Sequence, residues 1–143
     1  MSATNLDAII DRVRSICVSA PFSFVETTAL DSFNLAPTGV FDGTFRVEGQ
    51  SQQPRGWMNF MEECTDLLTV TVAKAINNDY QGTRRTLHRS ARSLTSAIVR
   101  DGVVTSGLYN VIDASRQIQV TAQPSASFLT LRLTVPVNYE AQL

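Results

Sequence analysis

Apolar positions near the start of the chain recur with a helical period. Leu6, Ile9, Ile10, Val13, Ile16 and Cys17 fall at i, i+3, i+4, i+7, i+10 and i+11, which predicts an amphipathic helix over 6–17. Thr4, with Asp7 three residues on, reads as a capping-box-like start, and Asp7 and Asp11 lie near the positive end of the helix dipole. Pro21 is the stop signal. From Pro21 to Asp42 the pattern is irregular, mixing Phe22, Phe24, Val25, Phe33, Leu35 and Phe41 with Pro37 and Gly39, and predicts a packed loop or short strands.

Period-two alternation begins at Gly43 to Glu48 and is stronger at Leu68, Val70 and Val72, interleaved with Thr69 and Thr71; each run predicts a strand. Between them a polar loop of about 49–60, rich in Gln, Gly and Pro, leads through Arg55 into Trp57, Met58, Phe60 and Met61. A second helix is expected from Gly82-Thr83 to about Arg100, with Gly102 as a left-handed C-terminal cap. At 100° per residue, Leu87, Ala91, Leu94 and Ile98 form one stripe, and Arg85, Arg89, Arg92 and Arg100 lie opposite. Beyond the Gly-containing stretch from Val103 to Ala114, Arg116 to Ala122 reads as a strand, Gln123 to Ala126 as a turn, and Ser127 to Asn138 as a long returning strand. In that last strand Leu129, Leu131, Leu133, Val135 and Val137 face one way. Pro136 donates no ladder hydrogen bond, which places part of this strand at a sheet edge. The fold class predicted is α+β: one domain over 1–143, a mostly antiparallel sheet packed against an N-terminal helix and a second helix, ending in a long β-hairpin.

Composition narrows the function. With 143 residues, 43% hydrophobic and 17% charged, the chain has the balance of an ordinary folded domain, and the formal net charge of -1 excludes a strongly basic nucleic-acid binder. That total conceals a dipolar chain: residues 1–82 carry five basic and ten acidic side chains, residues 83–143 seven and three. Eleven of the twelve cations are arginine, Lys74 being the exception. No secretory signal or membrane span is indicated. Cys17 and Cys64 form no metal-ligand spacing and read as reduced packing residues of a protein made in a cytosol.

No phosphate loop, nucleophile elbow or HExxH motif is present, and the only histidine, His88, sits among Arg84, Arg85, Arg89 and Arg92 with no nucleophile or paired acid beside it. Glu62 and Glu63 are sequence neighbours that point apart on a strand or helix. The chain therefore reads as non-enzymatic, without metal or cofactor. The arginine stripe has three readings: a solvated helix face, a subunit interface, or a phosphate-binding surface. The scarcity of lysine favours an interface over simple solvation, because arginine is preferred where an ion pair is partly desolvated. Trp57, Met58 and Phe60, with Arg55 before them, either pack on the core or form a docking element.

In element order and length the chain resembles the tail terminator, or tail completion, proteins of long-tailed bacteriophages. The parts that carry the resemblance are the opening helix Leu6 to Cys17, the helix Thr83 to Arg100, and the alternating run from Phe128 to Tyr139. The resemblance implies a structural virion protein of the tail and neck, assembled in the host cytoplasm. Such a protein forms a ring, typically hexameric, that caps the tail tube, ends its polymerisation and meets the head connector, while genomic DNA passes through the lumen without sequence-specific binding. The partners implied are other copies of the chain, the tail tube protein and the head-tail connector or adaptor, with no membrane. Alternatives are another phage neck protein and a cellular nucleic-acid-binding module that uses the arginine-rich helix. The candidate interface residues are Arg85, Arg89, Arg92, Arg100, Trp57, Met58, Phe60 and Arg55.

Overall fold

A computed structural model describes residues 3–26, 43–50, 56–58, 61–112, 116–122 and 128–142. Helix α1 (Leu6–Val18) buries Ile9, Val13 and Cys17 along the predicted stripe. Its N-cap is Asn5 rather than Thr4. The Asn5 side chain accepts the Ala8 N–H at 2.8 Å, while the Thr4 N–H is drawn off to the Glu140 carbonyl at 2.7 Å, which keeps Thr4 extended against the sheet.

The strands are β1 (Val25–Glu26), β2 (Thr44–Gln50), β3 (Gly56–Met58), β4 (Met61–Ala75), β5 (Tyr109–Val111), β6 (Gln117–Ala122) and β7 (Phe128–Gln142). They form one sheet in the order β1-β2-β4-β7-β5, with β3 also pairing β4 and β6 also pairing β7. Among the described strands only β1 and β2 run parallel, and a single parallel bridge joins Ala3 to Glu140. This is the predicted α+β class with a mostly antiparallel sheet. The long pair β4 and β7 forms the spine, in register from Met61↔Gln142 to Ala75↔Phe128. Cys64, Leu68, Val70 and Val72 of β4 share a buried face with Leu129, Leu131, Leu133, Val135 and Val137 of β7. Both helices lie on that face.

Several expectations change. The polar loop expected at 49–60 is shorter, because Gly49 and Gln50 extend β2 against Leu68 and Leu67, and Gly56–Met58 pairs with Glu63 to Met61. Arg55 and Phe60 lie outside the described residues. Nor is β7 an edge strand. The Pro136 carbonyl accepts from the Ile112 N–H at 3.0 Å, and the N–H and C=O of a strand residue point to the same side, so the missing donor of Pro136 faces β5 and β6. There the ladder is already broken: β6 ends at Gln117↔Thr134 and β5 begins at Val111↔Val137. Proline occupies the point where no donor is required.

Helix α2 (Tyr80–Arg100) starts two residues earlier than expected, capped by Asp79, whose side chain accepts the Gly82 N–H at 3.0 Å. Its end also differs. The chain continues into a π-helical turn, Asp101–Thr105, and it is Gly107, at φ 65°, that adopts the left-handed conformation. Gly102 serves close approach: a Cβ there would stand 2.5 Å from the Tyr109 carbonyl oxygen and 2.6 Å from the Tyr109 ring. Gly102→Ala should therefore cost about 1–3 kcal/mol, the usual range for overpacking. Urea unfolding measures it, and an unchanged midpoint would mean that Tyr109 moves aside freely.

Candidate subunit and partner interface

Helix α2 turns Thr83, Leu87, Ala91, Leu94, Thr95 and Ile98 to the core. Its opposite face exposes Arg84, Arg85, His88, Arg89 and Arg92, with Arg100 exposed at the last turn. Between Tyr80 and Arg100 there are five arginines and no aspartate or glutamate. A solvated helix face usually interleaves acids at i, i+4; here Arg85 meets Arg89, and Arg89 meets Arg92, each like-charge pair costing about 0.2–0.5 kcal/mol. Among the described residues none of the α2 arginines enters an ion pair, whereas Arg12 pairs with Asp101, Arg14 with Asp11 and Glu26, and Arg46 with Glu48. Asp11, Glu26 and Glu48 are thus held by Arg14 and Arg46, and the α2 row faces outward.

The row is one wall of a groove. Arg85, His88, Arg89 and Arg92 face Arg116 and Ile118 across a cleft of about 370 Å³. Arg116 also lines a second cleft of about 430 Å³, bounded by Val99, Arg100, Val103 and Val104. Val103 is 53% exposed and Val104 72%, high for valine. A cationic groove running into an apolar shelf has the composition of a protein interface, where arginine and apolar anchors carry binding.

No model of a protein family and no curated protein matches the chain.

Of the predicted interface residues, Arg85, Arg89 and Arg92 come together in the cationic groove, and Arg100 joins the adjoining cleft. Trp57 and Met58 lie on β3, paired with Glu62 and Met61. Arg116, Ile118, Val103 and Val104 were not singled out from the sequence. Helical periodicity signals only one wall of the groove, and the other wall arrives when β6 folds back along β7.

Two polar clusters elsewhere are structural. The Arg12 guanidinium donates to both carboxylate oxygens of Asp101 at 3.0 and 2.8 Å, and the Tyr109 hydroxyl reaches Asp101 at 2.9 Å and the Ile98 carbonyl at 3.1 Å. This junction ties α1, the end of α2 and β5 together. The hydrogen bond to Asp101 raises the Arg12 pKa, and burial, then Asp101, raises that of Tyr109. On the sheet, the Tyr139 hydroxyl donates to Asp66, which is 2% exposed. Here too burial raises the tyrosine, with the Asp66 hydrogen bond adding to it. Among the described residues no three His, Cys, Asp or Glu side chains gather as metal ligands, and no helix is long and apolar enough to cross a membrane.

Proposed function

We propose that this chain is a structural virion protein, a phage tail terminator. Copies of it form a ring on the end of the tail tube, stop tube growth and meet the head connector, and DNA passes through the hole. The supporting observation is the placement of charge. An arginine groove, whose α2 members enter no ion pair among the described residues, lies beside β6, and the cross-strand pair Glu63↔Glu140 lies at the other end of the same sheet. Leu133, opposite Ile118, and Glu140 are seven residues apart on β7, roughly 23 Å at the rise of a strand. A head-to-tail ring needs two different complementary surfaces on each subunit, and opposite charge at opposite ends meets that need. Rim ion pairs would set register and add little affinity, and the exposed Val103 and Val104 would be covered in the contact.

A phage lacking this chain should make tails longer than wild type, visible by electron microscopy, and tails of normal length would overturn the reading. Light scattering of the purified protein at high concentration should show a closed oligomer, or assembly onto tail tubes when these are added. A second reading, a nucleic-acid-binding module, is favoured by the same acid-free arginine row. It predicts salt-dependent DNA binding lost when Arg85, Arg89 and Arg92 become alanine.

A further inference from the structure

Beside the arginine groove runs an open sheet edge. Among the described residues β6 pairs with β7 alone, from Gln117↔Thr134 to Ala122↔Leu129. The hydrogen bond from Ile112 to Pro136 sets the even-numbered residues of β7 toward β5 and β6. The hydrogen-bonded pairs of the β6 ladder are therefore Gln117↔Thr134, Gln119↔Arg132 and Thr121↔Thr130. By the same alternation, the main-chain N–H and C=O groups of Ile118 and Val120 point outward, away from β7. The strand reads Gln-Ile-Gln-Val-Thr-Ala and carries no charge and no proline, the devices that ordinarily blunt an edge.

The guard is supplied instead by the helix alongside. A second β6 pairing at this edge would bring two rows of arginines together and be repelled, whereas a strand with carboxylates on the α2 side would be attracted. The open backbone also favours a peptide over a nucleic acid, since a phosphodiester chain offers acceptors for the N–H groups but nothing for the carbonyls of Ile118 and Val120. The edge strand β1 does not fit as the occupant: its one carboxylate, Glu26, is already held by Arg14.

We propose that the β6 edge takes up an extended acidic segment of a separate protein by strand addition. Alternate carboxylates of that segment lie over Ile118 and pair with Arg85, Arg89 and Arg92; the intervening side chains join Gln117, Gln119 and Thr121 on the outer sheet face. The proposal does not rest on the ring: the segment takes the same arginines that a ring contact would use, so the two occupants compete for this edge.

The probe is a fluorescent peptide of four alternating Glu-Thr pairs, titrated with the full chain at low salt and read by anisotropy. Saturable binding is expected. Combined Arg85→Glu, Arg89→Glu and Arg92→Glu should weaken it roughly tenfold or more and reverse the preference toward the matching Lys-Thr peptide. Val120→Pro removes an outward N–H and no bond to β7, so it should weaken binding by a similar factor while the protein still melts cooperatively. If Val120→Pro does not fold, the charge reversal decides alone. The proposal is overturned if the Glu-Thr peptide does not saturate, if the charge reversal changes its affinity by less than about twofold, or if a short oligothymidylate binds more tightly through the same arginines. A peptide that binds only by dissociating an oligomer would assign the edge to a second copy and overturn the separate partner.

Discussion

Leu131→Ala will lower the unfolding free energy by about 2–5 kcal/mol, against a total of about 5–15 kcal/mol for a domain of this kind. Leu131 is fully buried near the middle of the region where β7 is paired on both sides, flanked on the core face by Val72 of β4 and Val120 of β6. Neighbours held by ladders on both sides cannot close into the space left by the missing methyl groups, so a cavity penalty adds to the lost transfer energy. The next residue is the control. Arg132 is exposed on the outer face, and Arg132→Ala should stay within about 0.5 kcal/mol of wild type. Urea unfolding with an unchanged m-value measures both variants. Equal midpoints for the pair would contradict the assignment of the odd-numbered residues of β7 to the core.

That face was legible because each of its residues is apolar and each alternate residue polar or neutral. The partner strand was legible only in part. Alternation in β4 is plain at Leu68, Val70 and Val72, but the strand continues back through Asp66 and Glu63, charged residues that look like the end of a run. Asp66 is nevertheless buried, and what makes this tolerable is the hydroxyl of Tyr139, far away in sequence. Strand β5 has just three residues, and its register is set by Tyr139 to Val137 rather than by any pattern of its own. Gly102 could be read as a breaker but not as a packing residue, because its reason, the backbone and ring of Tyr109, is a tertiary contact.

The same division runs through the candidate site. The arginine row of α2 follows from helical periodicity, and its exposure follows from the apolar stripe opposite. Its unusual feature, the absence of any acid over the whole helix, is also in the sequence, but it acquires meaning only when Asp11, Glu26 and Glu48 are seen committed to Arg14 and Arg46. Arg116 and Ile118 are separated from α2 in sequence by the π turn and β5. They become a groove wall through the β6–β7 hairpin, whose register no local pattern specifies.

Raising the pH above about 9 should destabilise the protein, and Cys17 should account for a large share of the loss. Cys17 is fully buried on α1, and burial, with a smaller contribution from the Glu26 carboxylate, pushes its thiol from the usual 9.0 up to about 12. The folded pKa is raised, so the folded state prefers the neutral thiol. The stabilisation is complete below pH 9, where both states hold the proton, and is lost as pH climbs toward 12 and the unfolded chain ionises first. Over that interval the linkage amounts to roughly 4 kcal/mol. Tyr109 and Tyr139, both raised chiefly by burial, act in the same direction from about pH 10 upward. Urea unfolding at stepped pH values separates these contributions. Between pH 9 and 10 the wild type should lose stability while Cys17→Ala stays nearly flat, and above pH 10 both should fall as the tyrosines ionise in the unfolded chain. Parallel curves for the two proteins across pH 9–10 would show that the Cys17 thiol is not held neutral by the core.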